Sequence, residues 1–222
     1  METIKQTTMI TTDENGFDLK TAFDALFVLF GTSNQGKTST LYELLRLLGS
    51  KSKAVSTRAV TTFIKSMERV DPKTGKLYYA DTRVVIPYEN YHIAIATFGD
   101  YREVCEDNMF FFRQDPKSEP FYFYAGNQFV SSDDPNLTKE QTKGLKKVKP
   151  TVFLSACRTE GGAVDAMEYC SHYYLRHIAR IFWVRKFGSN HDYTKSRISS
   201  SDKKYAKGLM DAIDRIVKGR II

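Results

Sequence analysis

The segment from Ala25 to Leu48 constrains the fold of this chain more than any other. It opens on Ala25-Leu-Phe-Val-Leu-Phe30, a short unbroken apolar run of the kind that forms a strand buried on both faces. The run ends at Gly31, and a small, polar, glycine-containing loop follows. Leu41, Leu44, Leu45 and Leu48 then recur at helical spacing, with Gly49 as a natural stop. A strand with no polar face belongs inside a sheet that helices cover on both sides. That points to an α/β protein with right-handed crossovers.

The rest of the chain repeats the pattern. Tyr91 to Thr97, Thr151 to Ser155 and Ile181 to Val184 are further buried-strand candidates. Residues 101–114, the stretch from Ala163 to Ile178, and Tyr205 to Ile216 read as amphipathic helices. Residues 58–86 read as a β-hairpin: Ala59 to Val70 is rich in Val, Thr, Phe and Ile, and Leu77 to Ile86 returns after an Asp71-Pro-Lys-Thr-Gly75 turn. Pro116, Pro120 and Asp133-Asp134-Pro135 break up residues 115–150, which read as an insertion over the sheet, serving as a lid. The expectation is a three-layer, mostly parallel sheet with helices on both faces, a β-hairpin edge and the 115–150 insertion. Residues 1–20 form a flexible polar lead, and residues 21–222 form a single domain.

The loop itself carries the chemistry. Gly31-Thr-Ser-Asn-Gln-Gly36-Lys37-Thr38 fits G-x-x-x-x-G-K-[ST] in full. Two glycines let backbone N–H groups turn inward around phosphate oxygens, and the following helix offers its N-terminus to the anion. The motif and its strand–loop–helix setting resemble the Walker A loop of the P-loop NTPase superfamily. The resemblance implies binding of ATP, or GTP, with Mg²⁺. Gly31, Thr32, Ser33, Asn34, Gln35 and Gly36 would wrap the phosphates, Lys37 would span the β- and γ-phosphates, and the Thr38 hydroxyl would ligate the metal. Ser39 and Thr40 would lie near the α-phosphate.

Such a site needs an acid at the end of a neighbouring strand. Ile93-Ala-Ile-Ala-Thr-Phe-Gly-Asp100 resembles a Walker B segment, with Asp100 as the metal-linked acid, although Thr97 and Gly99 interrupt its apolar run. Asp100 also suits a helix N-cap on 101–114. Glu103 is the candidate general base. Ser155-Ala-Cys-Arg158-Thr-Glu-Gly-Gly162 follows a strand and precedes a helix, so Arg158 can neutralise charge on the γ-phosphate, or else pair with Glu160. Cys157 reads as a small buried residue. His191 and Tyr193 are candidates to stack on the base.

Charge adds a second theme. The chain is +7 overall, but residues 136–222 hold 18 Lys+Arg against 8 Asp+Glu. This basic part suits a lid, a nucleic acid or a protein partner, or simply solvation. No apolar run is long enough to cross a bilayer, and the polar start carries no secretory signal, so a cytoplasmic location is expected. Among P-loop families, the guanine-reading N-K-x-D, the L-S-G-G-Q signature and an adjacent Asp-Glu pair at the second motif are all missing from the sequence. The leading expectation is a Mg²⁺-dependent ATP hydrolase that couples hydrolysis to a conformational change. The alternatives are a small-molecule or nucleotide kinase, a nucleotide-gated nucleic-acid-binding or regulatory protein, and GTP in place of ATP. Base specificity and oligomeric state stay open.

Overall fold

The computed structural model describes residues 6–7, 25–32, 35–112, 119–160, 162–173, 180–187, 192 and 194–219. The strands are β1 (Gln6–Thr7), β2 (Ala25–Gly31), β3 (Glu68–Val70), β4 (Leu77–Tyr79), β5 (Arg83–Tyr88), β6 (Tyr91–Ala96), β7 (Tyr122–Ala125), β8 (Gln128–Ser131), β9 (Pro150–Arg158) and β10 (Ile181–Arg185). The helices are α1 (Lys37–Lys51), α2 (Thr57–Ser66), α3 (Arg102–Phe112), α4 (Lys139–Leu145), α5 (Ala163–Tyr173) and α6 (Ser200–Val217).

Alternation along β2 builds the layers. Ala25, Phe27 and Leu29 point to one face, where Leu41, Leu44, Leu45 and Leu48 of α1 pack with Leu209, Met210, Ile213 and Ile216 of α6. Leu26 and Val28 point to the other, among Met109, Phe111 and Phe112 of α3 and Ala163, Ala166 and Met167 of α5. Helices therefore cover both faces, as the doubly apolar strand demands.

Among the described residues the main sheet has eight strands, in the order β1-β10-β2-β9-β6-β5-β7-β8. Its centre, β10-β2-β9-β6, is parallel throughout. Strand β5 runs antiparallel to β6, β7 parallel to β5, and β8 antiparallel to β7. On the opposite edge Gln6 and Thr7 pair antiparallel with Phe182 and Ile181, so part of the expected N-terminal lead is strand; residues 1–5 and 8–20 lie outside the described residues.

Three expectations need correction. Residues 57–66 are helix, not the first arm of a hairpin. Val60, Phe63 and Ile64 fall at helical spacing and are buried, and this tertiary packing overrides the strand preference of their β-branched neighbours. The hairpin that does form, β3 with β4, is a separate two-stranded sheet and not an edge of the main one. Gly49 does not stop α1, which continues to Lys51. It is there for contact: a Cβ on it would lie 2.4 Å from Val60 Cγ2, where α2 crosses α1.

Within the expected 115–150 insertion, the described residues 119–150 add strands to the sheet itself, and α4 lies against it. Residues 122–131 form the β7–β8 hairpin and extend the sheet, with Phe121, Phe123, Ala125 and Val130 in the α3/α5 core. Gly126 (φ 61°) and Asn127 (φ 65°) make its two-residue turn, which requires positive φ at both positions. The segment from Lys143 to Lys149 is not a lid. It leads into Pro150, the start of β9, whereas the Walker A-like loop sits at the end of β2 beside Arg158, the other end of β9. No helix among the described residues is long and apolar enough to cross a membrane.

Candidate functional site

Four parallel strands deliver their carboxyl ends to one edge of the sheet, the usual location for ligands in open α/β folds. Gly31 at the end of β2 pairs with Arg158 at the end of β9, and Ala96 at the end of β6 pairs with Ser155. Because β5 runs against β6, pairing Arg83 with Ala96, the residues that precede β5 reach this same edge. They are Asp81 and Thr82.

Gly36 (φ 76°, ψ 26°) is left-handed and hands the chain to α1, whose N-terminus carries no side-chain cap and no acid in its first turn. The backbone N–H groups there are left without a side-chain acceptor, as at helix ends that can receive an anion. Lys37 curls back over the loop, its Nζ donating to the carbonyls of Gly31 at 2.9 Å and Thr32 at 2.8 Å. Gly31 permits the loop's compactness: a Cβ on it would lie 2.3 Å from Gln35 Oε1 and 2.6 Å from the Lys186 carbonyl. Gln35 Oε1 is itself buried with no hydrogen-bond partner among the described residues.

Opposite the loop stand the acids. The Thr38 hydroxyl donates to the Thr97 carbonyl at 2.9 Å, which ties the start of α1 to the end of β6. Thr97 and Gly99, the interruptions in the Walker B-like run, both have structural reasons. Thr97 Oγ1 accepts from the Thr82 N–H at 2.9 Å and fixes the approach of β5. A Cβ on Gly99 would lie 2.0 Å from the Ala156 carbonyl, so only glycine lets this turn lie against β9. Asp100 then meets Arg158, whose Nε stands 2.9 Å from Asp100 Oδ1; the pair is ionic and not an aligned hydrogen bond.

These groups line one cleft of about 260 Å³, walled on its far side by Lys76 to Tyr79. Burial lowers the pKa of the Lys37 ammonium; the Asp100 carboxylate opposes that shift and the Arg158 guanidinium adds to it. Burial, and then the nearby charge of Asp100, push the Asp81 carboxyl up to about 6.

The cleft unites Gln35, Gly36, Lys37, Thr38, Ser39, Asp100 and Arg158, seven of the residues expected from the sequence. Thr32 follows Gly31 at the mouth of the loop, and both offer their carbonyls to Lys37. Thr40 faces away, fully buried, its hydroxyl 3.4 Å from Asp202 Oδ1. Glu103 is exposed on the first turn of α3 and does not line the cleft. Arg158 pairs with Asp100, not with Glu160. Cys157 is buried as a free thiol. Ser33, Asn34, His191 and Tyr193 lie outside the described residues.

The sequence reading missed Asp81. It sits in a polar break between Leu77–Tyr79 and Arg83–Tyr88, and only the antiparallel β5–β6 pairing brings it to the site. It also missed the group behind the loop. Lys186 and Asp202 form an ion pair at 3.0 Å with both side chains fully buried, and the Lys186 N–H donates to the Phe30 carbonyl at 2.7 Å.

The donor set suits Mg²⁺ beside a triphosphate: a Thr hydroxyl and carboxylates, all hard oxygens, in one cleft with an anion-binding helix end. No group of three or more His, Cys, Asp or Glu side chains among the described residues is arranged to hold a metal alone. A metal held by one or two carboxylates and the substrate's own phosphates does not need one. Comparison with protein-family models, with curated proteins and with solved structures gave no match.

Proposed function

We propose that this chain binds a nucleoside triphosphate, ATP in the first instance, together with Mg²⁺ and hydrolyses its terminal phosphoanhydride bond. One observation carries the reading. An uncapped α1 N-terminus behind a left-handed Gly36, a lysine and an acid–arginine pair converge at a single sheet edge.

In this reading the triphosphate lies along the loop, held by the α1 N–H groups. Lys37 exchanges the two carbonyls it now holds for phosphate oxygens, which solvate an ammonium better than neutral carbonyls do. Thr38 and Asp100 would hold the metal, which when bound would supply charge neutralisation at the phosphates. Asp81 would supply a second carboxylate from the same cleft. Arg158 stabilises negative charge on the transferring phosphoryl group, and Asp100 keeps it at the edge of the cleft until then. Attack by water yields the diphosphate and inorganic phosphate.

The test is a binding panel of ATP, GTP and their diphosphates with and without Mg²⁺, followed by phosphate release. ATP binding that Lys37→Ala abolishes, with phosphate released in the absence of an acceptor, is the expected result. Equal ATP and Mg²⁺ binding by Lys37→Ala overturns the reading. Phosphoryl transfer to a small acceptor is a second reading, favoured by a further pocket of about 390 Å³ that shares Leu77 and Tyr79 with the cleft.

A further inference from the structure

The second pocket differs in character from the first. Its wall carries four basic side chains, Arg46, Lys195, Arg197 and Lys203, against one acid, Glu43. Three parts of the fold supply them: α1, the loop that follows β10, and the first turn of α6. Leu77 and Tyr79, from one side of β4, form an apolar surface common to this pocket and the nucleotide cleft.

The basic groups are not equally engaged. Arg46 is held by Glu43 at 2.6 Å, and Lys195 by Asp192 at 3.3 Å on the open surface. Lys203 makes no ion pair among the described residues. Arg197 is the most enclosed of the cations, with its side chain only 21% exposed. Among the described residues its one ionic partner is Glu68 at a long 3.4 Å, and its Nε is buried with no hydrogen-bond partner. A guanidinium offers five donors in a rigid fork that matches a phosphate edge. Here that fork is held in a concave wall, its Nε without a partner, beside a lysine that makes no ion pair among the described residues. A solvated charge run has neither the enclosure nor the orphaned donor.

We infer that this pocket is a binding site for the phosphate group of a small phosphate ester, held by Arg197 and Lys203, with its carbon frame lying over Leu77 and Tyr79 toward the nucleotide cleft. The volume, about 390 Å³, is that of a small-molecule site and too small for a folded partner. Anion binding by the pocket is independent of what the cleft does. The ester's role as an acceptor or effector rests on the nucleotide reading.

The experiment measures binding of inorganic phosphate and of glycerol 3-phosphate to the full chain by calorimetry. Lys37→Ala serves as the background, so that the Walker A-like loop does not contribute. Saturable binding that weakens at least tenfold in Arg197→Gln/Lys203→Gln is expected, with glycerol 3-phosphate binding more tightly than phosphate alone. Lys203→Gln by itself, a change at an exposed side chain, is expected to weaken binding several-fold and guards against a folding defect at Arg197. Unchanged affinity in the double variant, or no saturable binding in the Lys37→Ala chain, overturns the proposal. So does tighter, salt-dependent capture of a 20-nucleotide single strand through the same residues, which makes the pocket part of a nucleic-acid surface. ATP binding to Arg197→Gln/Lys203→Gln in the otherwise unaltered chain reports on the cleft separately.

Discussion

Arg158 Nε stands 2.9 Å from Asp100 Oδ1, so the guanidinium and the carboxylate of the candidate site are each other's counter-charge across the ends of β9 and β6. A divalent cation on Asp100 competes with Arg158 for the same oxygens. Arg158→Gln therefore frees the acid while removing the cation proposed to stabilise the transition state. The expected result is phosphate release slowed about 10²–10³-fold, as for loss of a comparable charge-stabilising donor. Mg²⁺ affinity in the presence of ATP should rise at the same time. Titration of Mg²⁺ against ATP binding, alongside single-turnover hydrolysis, separates the two effects. Equal loss of both would make Arg158 a structural residue.

Asp81 makes stability depend on pH in an unusual direction. Its carboxyl is raised to about 6 in the fold, against about 3.9 in an unfolded chain. Between those values the folded state keeps a proton that the unfolded chain has lost. The contribution is complete below about pH 4 and fades as pH rises through 6. Asp81→Asn should remove this slope, with a melting temperature above that of the parent at pH 8, less so at pH 5, and close to it only below about pH 4. Melting curves of both proteins across that range decide the matter. An unchanged slope in the variant rejects the assignment to Asp81.

Gly99→Ala tests the turn before Asp100. Its new Cβ would be 2.0 Å from the Ala156 carbonyl, a backbone atom that cannot rotate away. Overpacking of this kind costs about 1–3 kcal/mol and should move Asp100 away from Arg158. Chemical denaturation measures the first effect and ATP hydrolysis the second. Gly208→Ala, where a Cβ meets nothing within 4 Å, is the control and should be neutral or slightly stabilising.

Lys186→Met leaves Asp202 as an unpaired charge in a site where both side chains are fully buried. Such a loss costs about 3–5 kcal/mol. Lys186→Met combined with Asp202→Asn should recover most of it, because no net charge is then stranded while the amide can still accept from Ser199. Urea denaturation of the three chains tests this. Additive losses in the double variant would argue against a direct pair.

The strand–loop–helix unit and the strands that end near Asp100 and Arg158 were legible in the sequence because each is strongly patterned locally. A short, mainly apolar run leaves few choices for β2, β6 and β9. The α2 helix was not legible: Val60, Thr61, Thr62, Phe63 and Ile64 suit a strand by composition, and only packing on Gly49 and the neighbouring sheet selects the helix. Asp81 was hidden for a related reason. Its place depends on β5 reversing beside β6, a pairing of register and not of residue type. The buried Lys186–Asp202 pair was not legible, because burial of an ion pair is decided by elements far apart in the chain.

That distance has a consequence for how the site is made. The Walker A-like loop is backed by the Lys186 carbonyl, and Lys186 is neutralised by Asp202, which also meets Thr40 of α1 from 162 positions downstream. During synthesis the loop leaves the ribosome early, yet its supporting wall arrives only with β10 and α6. On the proposed reading, the loop is complete only once β10 and α6 are in place, so nucleotide capture would report that α6 has docked.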